Sequence, residues 1–208
     1  MKILELEQGT DEWREARLEK ISGTRLGMAI GTPVNQETLI NELIAEKLTG
    51  EAKENFVNLA MAKGVEAEDF AVEEYEEQTG EITEKVGLCV SDEFDWMVNS
   101  PDRLIKKEDK YVKAVEVKCP NADTLVKYIR NGGVPKEYLG QVMSYFLVNE
   151  DLEELDFVVY SPLIQTEQYR LCIINVKRED LKLDEAKEKL LKFYAKYEEE
   201  LKKLNLSL

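Results

Sequence analysis

Residues 100–120 read SPDRLIKKEDKYVKAVEVKCP, and this stretch is the most informative part of the sequence for predicting the fold. Tyr111 to Lys118 alternates apolar and polar side chains, which is typical of a strand. Pro120 ends that strand, because proline has no backbone N–H to donate to a sheet. Met97 to Asn99 is a second apolar segment, and the residues between the two segments, 104–112, are polar and turn-like. We therefore predict a β-hairpin formed by these two strands.

The predicted hairpin brings two carboxylates and an ammonium group together. Side chains alternate between the faces of a strand, so Glu116 and Lys118 point to the same side, and pairing of the strands places Asp102 beside Glu116. Such charges are costly to bury unless they are paired or bind a metal ion. Two carboxylates and a backbone carbonyl make an oxygen-rich site that suits Mg²⁺ or Mn²⁺, and Lys118 can offset charge on a reacting phosphate. The pattern indicates metal-dependent phosphodiester hydrolysis.

Two further polar residues are candidates for the same site, Glu68 and Gln141. Glu68 lies on a helix rich in acids, where it supplies either a third carboxylate or one more solvated charge. Gln141, near the start of another helix, can reach a water or a phosphate, or it is an ordinary surface residue. A strand with a solvated polar face would also explain Glu116 and Lys118. The residues alone therefore leave a structural role open for all four.

Composition excludes several classes of chemistry. The chain has 208 residues, a formal net charge of −15 and no histidine, which excludes Ser-His-Asp and Cys-His catalysis and His-ligated zinc. Cys89, Cys119 and Cys172 are scattered, so we predict free thiols. We find no signal peptide or membrane span and expect a cytoplasmic protein of a bacterial or phage-infected cell. The excess of acid argues at first sight against a surface that binds nucleic acid throughout.

Periodicity along the rest of the chain predicts mixed helices and strands. The predicted helices are Thr10–Leu18, Ser22–Ile30, Asn35–Leu48, Asn58–Thr79, Ala122–Ile129, Glu137–Val148 and Leu183–Leu204. The predicted strands are Leu88–Val90, Met97–Asn99, Tyr111–Lys118, Leu155–Tyr160 and Tyr169–Val176. We predict one α/β (α+β) domain over residues 1–208, with a central mixed β-sheet flanked by helices, a core at about 8–176 and a C-terminal helix at about 179–205. The heptad-like spacing of that helix could serve a subunit contact, but we favour packing of the helix on its own domain.

Five groups of motifs, in this order, resemble the lambda-exonuclease/YqaJ-type viral recombinase family, a branch of the PD-(D/E)XK nucleases. They are Trp13-x-x-x-Arg17 with Ile21-Ser22-Gly23-Thr24; Gly64-x-x-x-Glu68 with Tyr75 and Thr79-Gly80; Ser100-Pro101-Asp102; Glu116-Val117-Lys118-Cys119-Pro120; and Tyr138-x-x-Gln141. The resemblance implies a restriction-endonuclease-like fold. It also implies an exonuclease that degrades linear double-stranded DNA from the 5′ end, releases 5′-phosphomononucleotides and leaves 3′ single-stranded tails for a single-strand annealing recombinase.

The resemblance also implies roles for individual residues. The positions that match the family's metal ligands, for two Mg²⁺ ions that Mn²⁺ can replace, are Glu68, Asp102, Glu116 and the carbonyl of Val117. The positions that match its catalytic residues are Asp102, Glu116, Lys118 and Gln141. The positions that match its contacts to the 5′-terminal phosphate of DNA are Arg17, Thr24 and Ser100, with Tyr138 close to the site.

Two positions depart from the family pattern. Arg103 replaces the usual glycine after Ser-Pro-Asp, and it either contacts a phosphate or is a variant of the turn. Thr124 stands where the family's best-known member has an arginine, and Lys127 or Arg130 could substitute for it. The basic side chains that we predict to line one groove, with the acids elsewhere repelling DNA, are Arg17, Arg25, Lys118, Lys127 and Arg130.

The family resemblance further implies a ring-shaped homotrimer that encloses DNA. Two other functions remain open: another PD-(D/E)XK endonuclease or repair nuclease, and a non-catalytic protein that binds DNA ends. A repair nuclease of the Cas4 type usually carries a four-cysteine cluster, which three scattered cysteines cannot supply. The presence of Asp102, Glu116 and Lys118 argues against a non-catalytic protein.

Overall fold

The computed structural model of the protein describes residues 1–52 and 59–207, without the side chains of residues 59–66. Its helices are α1 (Asp11–Ala16), α2 (Gly23–Ala29), α3 (Pro33–Thr49), α4 (Leu59–Thr79), α5 (Ala122–Asn131), α6 (Leu139–Val148), α7 (Glu167–Arg170) and α8 (Leu183–Lys203). Its strands are β1 (Lys2–Leu4), β2 (Leu88–Val90), β3 (Val98–Asn99), β4 (Arg103–Lys107), β5 (Lys110–Lys118), β6 (Glu154–Tyr160) and β7 (Leu171–Lys177). Short 3₁₀ turns at Lys136–Tyr138 and Arg178–Asp180 come shortly before α6 and α8. Asn58, the predicted start of the fourth helix, lies outside the described residues.

The strands form two sheets. In the four-stranded sheet the order is β4-β5-β6-β7, with β5 and β6 parallel and both outer pairs antiparallel. The parallel pair needs a long crossover, which α5 and α6 provide. β1, β2 and β3 form a separate antiparallel sheet. The central mixed sheet flanked by helices is as predicted.

The hairpin next to Asp102 has a different first strand from the predicted one. β3 pairs with β2, whereas the partner of β5 is β4, which begins directly after Asp102 and sets Arg103 opposite Val115. The pattern of β4 was missed because residues 103–105 are all buried, so apolar and polar side chains do not alternate there. Asp102 nevertheless lies beside the end of β5, as the hairpin prediction required.

Three large residues at the ends of predicted elements are exposed in the structure. Leu48, the predicted end of a helix, is exposed in the last turn of α3. Tyr169 lies in α7 rather than in β7, and Leu204 is exposed just beyond the end of α8. All three lie at the ends of elements, where periodicity is a poor guide to boundaries and packing.

The four-stranded sheet has a core on each face. The larger core packs α2, α3, α6 and α8 over the face that carries Ala114 and Phe157. The smaller core packs Tyr75 and its neighbours on α4 over the face that carries Val115 and Val117. The buried face of α8 contacts α2, α3 and α6, which agrees with packing on its own domain. No described helix has both the length and the apolar composition needed to cross a lipid bilayer.

Helices α2 and α6 cross with their backbones in close contact. A Cβ atom added to Gly140 would lie 2.5 Å from the Cα of Gly27, a distance that real Cβ atoms do not show. A Cβ added to Gly27 would lie 3.8 Å from the Cα of Gly140, which is an ordinary contact. Only the glycine on α6 is therefore required for the approach of the two helices.

We expect Gly140→Ala to lower the free energy of unfolding by about 1–3 kcal/mol, the usual cost of overpacking a core. Gly27→Ala is the matched control, and it should be neutral or slightly stabilising, since alanine favours a helix over glycine by about 1 kcal/mol. Urea unfolding followed by circular dichroism measures both values. Equal stability of the two variants would contradict the crossing described above.

Candidate active site

The carboxylate of Glu116 has three side-chain partners in the candidate site. Its side chain is 1% exposed. The Lys118 ammonium forms an ion pair with Oε1, and Gln141 Nε2 donates to the same oxygen over 2.6 Å. The Tyr145 hydroxyl donates to Oε2. The strand places Glu116 and Lys118 on one face, and α6 covers that face with Gln141 and Tyr145 one turn apart.

Asp102 lies at the sheet edge next to this cluster. Its Oδ2 accepts a hydrogen bond from the backbone N–H of Val117 over 2.7 Å, because β4 begins too late to pair with that part of β5. The N–H and C=O of one residue in a strand point to the same side, so the Val117 carbonyl faces the same edge. Burial, and then the charge of Glu116, raise the pKa of Asp102 well above its usual value.

Lys118 is held as a cation by the two carboxylates. Burial alone would lower the pKa of its ammonium, but the charges of Glu116 and Asp102 raise that pKa above its ordinary value. The ring centroid of Tyr138, in the 3₁₀ turn before α6, lies 5.3 Å from Lys118 Nζ, within range of a cation–π contact. The charged lysine therefore has fixed partners on two sides.

Glu68 reaches the site from α4, on the other side of the sheet. Its Oε1 lies 3.5 Å from Nη1 of Arg103, the first residue of β4. Burial raises the pKa of Glu68, while Arg103 acts in the opposite direction. The site is thus placed where β4 begins, between α4 on one face and α6 on the other.

Arg17 and Ser100, two of the residues predicted to contact a 5′-phosphate, are linked to each other through Trp13. The guanidinium carbon of Arg17 lies 4.0 Å from the centre of the Trp13 ring, and Trp13 Nε1 donates to the Ser100 hydroxyl over 3.0 Å. Burial, and then the charge of Arg25, lower the pKa of Arg17 to about 10. Ser100 is two residues from Asp102, so this cluster adjoins the carboxylates.

Thr24 lies in the first turn of α2, with an exposed side chain whose hydroxyl is 3.2 Å from that of Ser22. The start of α2 packs tightly against α6. A Cβ added to Gly23 would lie 2.9 Å from the Ser144 hydroxyl and 3.4 Å from Gln141 Cγ. The position of α2, and with it Thr24, is therefore tied to the helix that carries Gln141.

Residues 12–151 match the model of the YqaJ-like viral recombinase domain. The chain belongs to this family. The match runs from α1 to the turn after α6 and so includes every residue of the candidate site. It confirms the family that the five groups of motifs indicated. A comparison with curated protein sequences found no match.

Solved structures agree with membership of the YqaJ-like family. The chain is 28% identical to an alkaline exonuclease, LHK-Exo, from Laribacter hongkongensis, with a TM-score of 0.85. A structure of LHK-Exo in complex with dAMP gives 29% identity and a TM-score of 0.84, and both alignments cover 94% of this chain and 96% of the other. A phage-related exonuclease from Haemophilus somnus 129PT shares the fold, with 15% identity, a TM-score of 0.66 and coverage of 89% and 96%. The likeness confirms the predicted restriction-endonuclease-like α/β fold.

The donor set suits a divalent metal ion. Asp102, Glu116 and the Val117 carbonyl offer hard oxygen atoms at one edge of the sheet. Burial, and then the charge of Glu116, raise the pKa of Asp102, and a cation between the two carboxylates would relieve their repulsion. Among the described side chains, those of residues 1–52 and 67–207, no three acidic or cysteine side chains already stand together as a metal-binding group. Glu116 instead binds its three protein donors, and Glu68 lies against Arg103.

Two residues of this YqaJ-like site were missed or left undecided by sequence reasoning. Tyr145 follows Gln141 by four positions, so helical spacing could have placed both on one face. Arg103 binds Asp69 as well as Glu68, so the start of β4, directly after Asp102, is connected to α4. Of the predicted basic groove, Arg25 is committed to the buried Glu46, whereas Lys127 and Arg130 are exposed on α5.

Tyr145→Phe tests the importance of the buried hydroxyl. Burial and Glu116 raise the pKa of Tyr145, so the hydroxyl keeps its proton and donates it to the carboxylate. Its removal should lower stability by about 1.5–3 kcal/mol, the range for hydrogen bonds to charged groups, and should lower nuclease activity as well. Urea unfolding and a nuclease assay measure the two effects. Tyr111→Phe, which removes a hydrogen bond to Glu84 at the surface, is the control and should be close to wild type in both.

Proposed function

We propose that this chain is a metal-dependent exonuclease that degrades linear double-stranded DNA in the 5′-to-3′ direction. The observation that carries the proposal is the convergence of Asp102, Glu116 and Lys118 on one sheet edge, beside the cluster of Arg17, Trp13 and Ser100. Membership of the YqaJ-like family and likeness to an alkaline exonuclease support it. The products would be 5′-phosphomononucleotides and 3′ single-stranded tails for an annealing recombinase.

The metal site of the proposed enzyme uses four oxygen donors. These are the carboxylates of Asp102, Glu116 and Glu68 and the backbone carbonyl of Val117. Exonucleases of this family generally use divalent metal ions, and we propose two Mg²⁺ ions, with Mn²⁺ as a substitute. Such ions supply Lewis acidity, which activates a water and offsets the charge of the phosphate.

Lys118 and Gln141 act on the reacting phosphate and the attacking water. Because the pKa of Lys118 is raised by its two carboxylate neighbours, it is an ammonium at neutral pH. It can therefore stabilise the negative charge that grows on the phosphate. Gln141 has a second amide proton and a carbonyl oxygen beyond its bond to Glu116, and these can orient a water for in-line attack. Tyr138 keeps the Lys118 side chain in place.

Arg17 gives the enzyme its direction in this proposal. A half-buried guanidinium whose pKa is lowered by burial and by Arg25 carries a charge that is costly at that place. A terminal phosphate would offset this cost, because an arginine can bind it through two parallel hydrogen bonds. The hydroxyls of Ser100 and Thr24 are further donors. Anchoring the 5′ end in this cluster presents the first phosphodiester bond to Asp102 and Glu116.

Lys118→Met and Asp102→Asn should each abolish digestion while the protein stays folded, because each removes a charge that the reaction uses and leaves the size of the side chain nearly unchanged. Lys192→Met is the matched control, because Lys192 is an exposed lysine of α8 that pairs with Glu188 and has no role in the proposed site. Release of mononucleotides from linear duplex DNA in the presence of Mg²⁺ measures activity, with closed circular DNA in parallel. Cutting of closed circles would favour an endonuclease. Binding of DNA ends without release of nucleotides by the wild type would favour a non-catalytic protein.

The wild type should digest 5′-phosphorylated ends faster than 5′-hydroxyl ends, and Arg17→Met should remove this preference. Loss of a charge-assisted contact worth about 1.5–3 kcal/mol corresponds to roughly a 10–100-fold rise in KM for phosphorylated ends. Arg14→Met is the control, since Arg14 lies on α1, which ends directly before Arg17, and pairs with Asp11 at the surface. An Arg17→Met enzyme with an unchanged preference would remove Arg17 from the phosphate site.

The assembly and the location of the enzyme are further parts of this proposal. A homotrimer that encloses duplex DNA would keep the enzyme on its substrate, and the acidic surface would restrict DNA to the basic groove. The enzyme would encounter DNA ends and the annealing recombinase in the cytoplasm of a bacterial or phage-infected cell. Light scattering of the purified protein measures its oligomeric state.

A further inference from the structure

We propose that Arg103 is a positioning residue of the metal site, which ties the turn that carries Asp102 to helix α4 and so holds Glu68 beside Asp102. The inference rests on the proposed function, since it assigns Glu68 and Asp102 to the metal ions. It goes further by naming a residue outside the ligand set on which metal binding depends.

One guanidinium connects two elements in this tether. Arg103 Nη1 donates to the backbone carbonyl of Asp102 over 2.6 Å and lies 3.5 Å from Glu68 Oε1. Its Nη2 donates to Asp69 Oδ1 over 2.7 Å. Arg103 is only 8% exposed and is the first residue of β4, so its backbone is fixed in the sheet. The planar guanidinium of arginine has several N–H donors in fixed directions and can bind three oxygen partners, which the compact ammonium of a lysine matches less well.

The positive charge of Arg103 reduces the repulsion between acidic side chains at the site. Glu68, Asp102 and Glu116 bring three acidic side chains together around the start of β4. Without a cation between them, repulsion would push α4 and its Glu68 away from the sheet. The Arg103 guanidinium lies between α4 and the turn, and its charge offsets part of this repulsion. Glu68 is therefore kept near the site before any metal ion arrives.

The three distances predict the direction of the effect. The contacts of Arg103 with Asp69 and with the Asp102 carbonyl are short, whereas the contact with Glu68 is the longest of the three. Arg103 therefore binds Asp69 and the Asp102 backbone more closely than it binds the Glu68 carboxylate. The Glu68 carboxylate thus stays available to a divalent cation. Loss of Arg103 should consequently weaken metal binding, not strengthen it.

Calorimetric titration of Mg²⁺ into the full-length protein without DNA tests this inference apart from catalysis. We expect Arg103→Met to bind Mg²⁺ about 10–100-fold more weakly than wild type, the usual effect of losing a residue that orients a ligand. Arg103→Lys should recover part of the affinity, because it keeps the charge but lacks the fork. Arg170→Met is the matched control. Arg170 Nε lies 2.9 Å from Oε2 of Glu74 and so also ties α4 to the sheet region, but Glu74 is not a proposed metal ligand. Its Mg²⁺ affinity should equal that of the wild type.

Asp69→Asn keeps the test decisive if Arg103→Met fails to fold. The Asp69 side chain is 73% exposed, and its replacement weakens the tether without touching a proposed ligand. We expect a few-fold loss of Mg²⁺ affinity in this variant. Unchanged or tighter binding by the Arg103 and Asp69 variants would overturn the inference, as would an equal loss in Arg170→Met.

Failure of the inference can be told apart from failure of the proposed function. A wild type that neither binds Mg²⁺ nor digests linear DNA with any divalent metal would overturn the proposed function. A wild type that does both, next to an Arg103→Met protein with the same Mg²⁺ affinity, would overturn only the role of Arg103.

Discussion

The rest of the site depends on a carboxylate buried at the end of a strand. An unpaired charge at Glu116 would cost several kcal/mol, and truncation of a single partner in such a cluster is correspondingly expensive. One donor comes from β5 itself, and two come from adjacent turns of α6. The sheet and α6 must therefore dock in one register for the charge to be satisfied. The close approach of α2 to Gly140 supports that register and brings Thr24 to the same side. The packing of α6 on the sheet therefore also fixes the geometry of the site.

Sequence patterns predicted what depends on neighbours along the chain. Alternation in β5 places Glu116 and Lys118 on one face, and the helical patterns predicted most elements to within a few residues. Features that depend on distant partners were not predictable. β4 is buried at its start and shows no alternation, so the wrong strand was paired with β5. The partners of Arg103 lie 34 and 35 positions away on α4, and nothing in the local sequence indicates them.

The negative net charge of the chain is compatible with DNA binding once the site is considered. A net charge of −15 first argued against DNA binding. Acids grouped around Asp102 belong to a proposed metal site, where bound cations reverse the local sign. The positive groups nearby are held in place by specific contacts, such as Arg17 on Trp13 and Lys118 on Glu116. A few fixed cations within an acidic surface can select a DNA end without attracting duplex DNA elsewhere.

The central claim is that the buried Glu116 carboxylate is a metal ligand. The most direct test is calorimetric titration of Mg²⁺ into the wild type and Glu116→Gln, with thermal unfolding of both proteins as a control for the fold. The account predicts that Glu116→Gln remains folded and binds Mg²⁺ at least about 10-fold more weakly, because loss of a ligand should exceed the loss of a residue that orients one. Equal Mg²⁺ affinity of the two folded proteins would contradict it.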